Sequence, residues 1–313
     1  MQVTPEFLVG AAIGLLGSAL YGLSVVVYRS QADEIRPVAV SSIKMWVAFP
    51  FIGLLVLVTV GFDTVLIPLV GVLVLGISVV LGAVVGDTLY LASQERIGVS
   101  YAFPIAMSFP LITYFITITI LNETPVLTRL AGAFIAVAGV IAVSHQQNKS
   151  EDNETVIPHD LLGIGLAIMT AVLYAVGTVL LQVGIAGVDP IGGSFIRVTV
   201  GSLAFIPMFA IARYQGMAMP SMKATKFVIV AGFFGMAIGS VLYVIAVATV
   251  GAAVMSVLSS SAPVFAVPVS VIFLKEKLTP LAVVGIVLTL VGVFFVILGD
   301  SALLWLLASL GLM

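Results

Sequence analysis

Two basic side chains lie inside stretches that are apolar enough to cross a lipid bilayer. Lys44 and Arg197 each follow a serine by three residues, Ser41 and Ser194, so each pair shares one helical face. A charge at the bilayer centre costs about 2.5–3.5 kcal/mol on insertion scales, and such residues usually face a cavity or a partner. The four residues are therefore predicted to line a cavity. The alternative is that the basic side chains extend to the headgroups.

Asp87 is the only acidic residue well inside one of these apolar stretches. Together with Tyr90 and Gln94 it forms a polar stripe at i, i+3 and i+7 of a predicted helix. A carboxylate in an apolar surround is suited to proton coupling or to binding a cationic group. The alternative is structural, with Asp87 neutralising Lys44 or Arg197.

Four tyrosines inside apolar stretches need hydrogen-bond partners for their hydroxyl groups. They are predicted to line one cavity, and the alternative is anchoring at the membrane interface. The four are Tyr21, Tyr90, Tyr174 and Tyr243.

Small residues and prolines mark places where helices pack closely or bend. Two GxxxG pairs, Gly82 with Gly86 and Gly235 with Gly239, predict close helix packing. Pro110 and Pro263 interrupt apolar runs at matching positions and predict a shared kink, where free carbonyls suit a cavity or hinge.

The sequence lacks the patterns of the common catalytic sites. It has no cysteine, no HExxH, no GxSxG and no Walker motif. The two histidines, His145 and His159, flank a polar segment and are predicted to be solvated. We therefore expect no catalytic residue, no metal, no cofactor and no ATP-driven step within this chain.

The composition requires a lipid environment for the elements that carry these residues. The chain is 61% hydrophobic and 8% charged, whereas soluble domains carry about 25% charged residues. A balance of 12 basic and 14 acidic residues, without a basic arm, argues against a nucleic-acid partner. Because a crossing helix needs about 20 apolar residues, we predict ten spans. They are 6–28, 38–60, 66–91, 100–121, 126–144, 160–181, 191–212, 226–248, 253–274 and 280–298.

The first half of the sequence is repeated in the second half at a constant offset. Tyr174 lies 153 positions after Tyr21, and scarce residues such as tyrosine and proline keep this register throughout. We predict a five-helix unit over residues 1–145, a polar linker over 146–159 and a second five-helix unit over 160–299. The apolar tail 300–313 is too short to cross a membrane.

The positive charges predict an orientation. Nine lysines and arginines at span ends, in loops or in the linker fall on one side of the ten-span arrangement, and only Arg129 falls on the other. The positive-inside rule then places both termini outside the cell membrane. Since each unit has an odd number of spans, the two units must be inverted relative to each other.

The paired motifs resemble those of EamA-type members of the drug/metabolite transporter superfamily. They are Pro110…Asn122-Glu123…Gly132…Gly139 with Pro263…Lys275-Glu276…Gly285…Gly292, and Pro37…Lys44 with Pro190…Arg197. The resemblance implies ten helices in two inverted five-helix repeats around a central cavity, lined mostly by spans 1, 3, 4, 6, 8 and 9. It also implies alternating-access movement of metabolites such as amino acids.

Three features depart from the pattern of that family. Lys44 stands where arginine is frequent, and Asp87 is not part of the usual motif. Many members also keep both termini in the cytoplasm, with basic residues after the second span, whereas loop 61–64 has none.

The leading interpretation is a carrier, in the cell membrane, for a small metabolite such as an amino acid or related compound. An uncoupled facilitator of the same fold is the alternative. An intramembrane enzyme or a receptor is less well supported, because there is neither a catalytic pattern nor a soluble domain. The sequence leaves open the substrate, the direction of transport and whether the protein is a monomer or a homodimer.

Overall fold

The computed structural model describes residues 4–144, 160–273 and 279–299, and the elements in these ranges are helical. In the first half these are α1 (Pro5–Arg29), α2 (Pro37–Thr59), α3 (Leu69–Val79), α4 (Asp87–Ile97), α5 (Val99–Ala106), α6 (Phe109–Thr119) and α7 (Leu127–Ser144). In the second half they are α8 (Leu161–Ile185), α9 (Pro190–Tyr214), α10 (Met222–Gly232), α11 (Gly239–Ser260), α12 (Ala262–Phe273) and α13 (Pro280–Leu298). A short 3₁₀ helix, Phe62–Val65, follows α2.

Nine helices in the described part of the chain are long and apolar enough to cross a membrane. The prediction of an all-α, multi-pass membrane protein is confirmed at this level. The longest of the nine runs over 52 residues, Met222–Phe273. The linker 146–159, the tail 300–313 and Glu276 lie outside the described residues.

Both halves contain the same departure from α-helical geometry. A π-helical stretch, Val80–Gly86, joins α3 to α4, and another, Phe233–Ile238, joins α10 to α11. The first residues of the two stretches are 153 positions apart, as the repeat requires. Such stretches are rare and are frequently found at functional sites.

A glycine with positive φ breaks each half at the same place. Gly98 has φ 73° and ψ 161°, and Gly251 has φ 82° and ψ 166°. This conformation is unfavourable for a residue with a Cβ atom. A second break follows near Ser108 and Ser261, immediately before the prolines that were predicted to mark a shared kink, and both prolines lie at the second position of a new helix.

The helix limits differ from the prediction mainly in the third and fourth spans. The third was predicted to end at residue 91 but continues to Ile97, because polar Gln94, Glu95 and Arg96 remain helical until Gly98. The fourth, predicted over 100–121, is divided into α5 and α6.

Local sequence fixes several helix starts. Thr4 accepts a hydrogen bond from Phe7 N at the start of α1. The side chain of Asp160 caps α8 and also accepts from Arg96 Nη1 at 2.8 Å. The hydrogen bond from Arg96, assisted by backbone N–H groups, lowers the pKa of the Asp160 carboxyl group.

Each half packs its first helix against the other half. Helix α1 packs against α11 and α12 of the second half, and its repeat counterpart α8 packs against α3, α4, α5 and α6 of the first. Two other pairs of counterparts meet each other, α2 with α9 and α7 with α13. These contacts place helices of both halves side by side where the halves meet.

Four glycines allow α7 and α13 to touch backbone to backbone. A Cβ atom at Gly139 would lie 2.6 Å from Gly285 O, and a Cβ atom at Gly132 would lie 2.7 Å from Gly292 O. Gly132 therefore faces Gly292, whereas Gly139, which lies later in α7, faces Gly285, which lies earlier in α13. This order shows that the two helices run antiparallel.

Candidate functional site

A cavity of about 250 Å³ lies where the two halves meet. The charged and polar residues that line it come from α1, α2, α3, α4, α8, α9 and α11, and among the described residues α7 and α13 contribute none. The polar and charged residues of the lining are Ser18, Tyr21, Lys44, Ser78, Asp87, Tyr174, Thr178, Ser194, Arg197, Ser240, Tyr243 and Ser259.

An ion pair from the first half, joined by a tyrosine from the second, forms a network on the cavity wall. Lys44 Nζ lies 3.2 Å from Asp87 Oδ2, and Tyr174 donates its hydroxyl hydrogen to Asp87 Oδ1 at 2.7 Å. Both carboxylate oxygens therefore have a partner. The Lys44 side chain is 9% exposed and that of Asp87 is 21% exposed, so the pair is largely shielded from solvent.

The second half places its basic residue without a carboxylate. The guanidinium of Arg197 lies over the ring of Tyr243, 5.9 Å from the ring centroid. The hydroxyl groups of Tyr243 and Thr178 form a hydrogen bond of 2.9 Å. Among the residues that the structure describes, Arg197 forms no ion pair.

Two serine hydroxyls on this wall were not identified from the sequence. Ser240 Oγ and Ser259 Oγ are buried and have no hydrogen-bond partner in the described part of the protein. By contrast, Ser18 and Ser194 on the same cavity donate to carbonyl groups of their own helices. The signal for Ser240 was present, because it occupies the place of Asp87 in the repeat.

Apolar side chains complete the wall. Met107, Phe109, Met236 and Met255 line the cavity, and the ring of Phe109 contacts that of Tyr174 edge-on at 5.8 Å. A mostly apolar pocket with a few fixed polar groups is the usual form of a small-molecule site. The cavity can therefore accept a small amphipathic compound.

Most of the residues selected from the sequence lie on this cavity, and five do not. Those on the lining are Tyr21, Tyr174, Tyr243, Lys44, Arg197, Ser194, Asp87, Gly82, Gly235 and Gly239. Those away from it are Tyr90, Ser41, Gly86, Pro110 and Pro263.

The placement of Tyr90 and Ser41 differs from the prediction for local reasons. Tyr90 accepts a hydrogen bond from Gln94 Nε2 at 2.6 Å and its ring lies near Phe103. Ser41 is buried one turn nearer the start of α2 than Lys44, and its short side chain does not reach the cavity as the lysine does.

The glycines differ in what they allow. A Cβ atom at Gly86 would lie 2.9 Å from both Leu81 O and the ring of Tyr174, so Gly86 lets that tyrosine approach. A Cβ atom at Gly82 would meet nothing within 4 Å. Gly82 itself supplies backbone to the close approach of Gly177, whose added Cβ would lie 3.2 Å from Gly82 N.

A second cavity, of about 690 Å³, lies near the Gly251 break. There Glu123 Oε1 accepts a hydrogen bond from Gln182 Nε2 at 2.7 Å, and Gln182 Oε1 accepts from Ala252 N. This network holds the backbone turn at Gly251. It contains no residue of the charged cluster around Lys44 and Arg197.

Comparison with known proteins gives three similarities. The sequence matches the EamA-like transporter family over residues 8–145 and again over residues 161–298. It is 30% identical over 119 residues to a Bacillus subtilis (strain 168) protein named "Uncharacterized transporter YdfC", and this match spans 38% of each chain. A crystal structure with 17% sequence identity superposes with a TM-score of 0.75, covering 92% of this chain and 96% of that one, which supports the fold alone.

Proposed function

Because the chain belongs to the EamA-like transporter family, we propose that it is a secondary carrier that moves a small amphipathic metabolite by alternating access. The observation that carries the proposal is the central cavity, to which both halves contribute charged residues from matching positions. In carriers built from two repeats, the substrate site lies at the interface of the repeats near the bilayer midplane.

We infer ten crossings in two inverted repeats. A continuous helix of 52 residues would be about 78 Å long, against a hydrocarbon core of about 30 Å. The break at Gly251 divides Met222–Phe273 into two segments of suitable length. The antiparallel contact of α7 with its counterpart α13 supports the inversion of one half relative to the other.

Paired irregularities near the cavity supply places where the helices can bend. The π-helical stretches contribute Gly82 and Gly235 to the lining, and each is followed by a glycine break. Because equivalent joints occur in both halves, the halves can exchange conformations around a fixed site, as alternating access requires.

An uncoupled facilitator is the second candidate function. It is favoured by the pairing of Asp87, since both carboxylate oxygens already accept hydrogen bonds from Lys44 and Tyr174. A carboxylate held in this way serves as a counter-ion. A proton-coupled carrier would need the same group to bind and release a proton during transport.

Replacing Tyr243 by alanine is expected to reduce substrate uptake by the folded protein roughly tenfold and to destabilise the fold by about 1–2 kcal/mol. The change removes the ring beneath the Arg197 guanidinium and the hydroxyl bonded to Thr178, and such contacts are worth about 1–2 kcal/mol. A thermal-shift screen first identifies a metabolite that binds the protein. Uptake of the radiolabelled metabolite into proteoliposomes is then measured for the wild type and the variant.

Tyr90 provides the matched control for this variant. It occupies the same place in the first half but does not line the cavity, so Tyr90→Ala is expected to retain most of the uptake. Equal losses in both variants, or normal uptake in folded Tyr243→Ala, would contradict the placement of the site.

The charge distribution predicts that the 146–159 linker is cytoplasmic and that both termini are outside. The protein has no cysteine, so Ser150→Cys introduces a single reporter. It is expected to resist an impermeant thiol reagent in whole cells and to react after the cells are permeabilised. Ready labelling in whole cells would reverse this orientation.

A further inference from the structure

We propose that Arg197, together with Ser240 and Ser259, binds the carboxylate group of the transported substrate, which is therefore a small amphipathic organic anion. This inference rests on the proposed function and specifies the substrate class of the same cavity. It is drawn from a difference between the two halves.

Comparison of the two repeats shows that the second half lacks a carboxylate that the first half has. In the first half, Lys44 is neutralised by Asp87 at 3.2 Å. The equivalent positions in the second half are Arg197 and Ser240, so the basic residue is kept and the carboxylate is replaced by a hydroxyl. We infer that a carboxylate from the substrate occupies the place that an aspartate side chain occupies in the first half.

The lining of the cavity also contains hydrogen-bond donors without acceptors. Ser240 Oγ and Ser259 Oγ are buried and have no partner among the described residues, although both serines line the cavity. The guanidinium of Arg197 lies over Tyr243, three residues after Ser240 and on the same helical face. A guanidinium has five donors and a planar form that matches a carboxylate, and each hydroxyl can donate one further bond.

The charge of the cavity favours the same class of ligand. The ionised side chains of its lining are Lys44, Asp87 and Arg197, which leave one positive charge. A monoanion neutralises it, whereas an organic cation would raise the charge further. The methionine and phenylalanine side chains of the lining suit an apolar body attached to that anion.

The first test supplies the carboxylate from the protein itself. Ser240→Asp restores the pattern of the first half and is expected to raise Tm relative to the matched variant Ser240→Asn. The gain should disappear when both changes are repeated in an Arg197→Met background. A Ser240→Asp protein that is no more stable than Ser240→Asn, or a gain that persists without Arg197, would overturn the proposal.

The second test uses external ligands of one shape and three charges. Phenylacetate is expected to stabilise the purified wild-type protein thermally, whereas phenylacetamide and phenethylammonium are not. Arg197→Met is expected to weaken the binding of phenylacetate by roughly 10–100-fold, and Ser240→Asp is expected to abolish it. Stabilisation by the amide or the amine as strong as that by the acid would contradict the assignment.

Inorganic phosphate separates an organic anion from any anion. If phosphate alone stabilises the protein as strongly as phenylacetate, the apolar wall takes no part and the proposed substrate class is wrong. Failure of the inference is also distinguishable from failure of the proposed function. Uptake of neutral or cationic compounds that is unaffected by Arg197→Met would overturn only the inference, whereas Arg197-dependent binding without transport in proteoliposomes would overturn only the carrier.

Discussion

Replacing Asp87 by asparagine is expected to destabilise the folded protein by about 3 kcal/mol, equivalent to a fall in Tm of roughly 6–12 °C. The cause is Lys44, whose ammonium group lies 3.2 Å from the carboxylate and whose side chain is largely buried. Without Asp87, this charge keeps its burial and loses its counter-ion. Thermal unfolding in detergent, followed by tryptophan fluorescence, measures the loss.

The double variant Lys44→Met with Asp87→Asn is the matched control. It removes the ammonium together with the carboxylate, and it is expected to recover most of the lost Tm. An Asp87→Asn protein that unfolds at the wild-type temperature would show that the ion pair is not structural. If that protein also loses pH-driven uptake while keeping substrate exchange, Asp87 would be assigned to proton transfer and the uncoupled candidate would be rejected.

Replacing Gly139 by alanine is expected to destabilise the protein by about 1–3 kcal/mol, because one added methyl group forces two backbones apart. The new Cβ atom would lie 2.5 Å from Thr289 N and 2.6 Å from Gly285 O, both of them backbone atoms, which is far inside van der Waals contact. Since the obstacle is backbone rather than a movable side chain, a rotamer change cannot relieve it. Tm of the purified variant is the measurement.

Gly165 provides the control for this substitution. It lies in helix α8, is exposed, and an added Cβ atom would meet nothing within 4 Å. Gly165→Ala is therefore expected to leave Tm unchanged or to raise it slightly, because alanine is the better helix former. A Gly139→Ala protein as stable as Gly165→Ala would contradict the close contact of α7 with α13.

The repeat made a large part of the architecture predictable. Lys44, Arg197 and Asp87 are costly in an apolar span, so their burial against a cavity follows from elementary energetics. Proline at matching positions similarly predicted the breaks before α6 and α12. These features depend on residue type and spacing, which the sequence contains in full.

Other features depend on geometry that the residue pattern does not determine. Tyr90 and Tyr243 are equivalent in the repeat, but only Tyr243 lines the cavity. The choice between Lys44 and Arg197 as the partner of Asp87 was also left open. The placement of the tyrosines and the partner of Asp87 depend on side-chain distances between helices that are remote in the sequence. The same is true of the unpartnered hydroxyl groups of Ser240 and Ser259.

The matching π-helical stretches also bear on the order in which the features of the protein arose. A π turn holds more residues than an α turn, so acquiring one inserts a residue into a helix and shifts everything that follows. The offset of 153 residues between the two halves is the same before and after the stretches Val80–Gly86 and Phe233–Ile238, so neither half has an extra residue relative to the other. If the halves descend from one duplicated unit, the insertion preceded the duplication, whereas the difference between Asp87 and Ser240 arose after it. On that descent, the joint is older than the charge pattern.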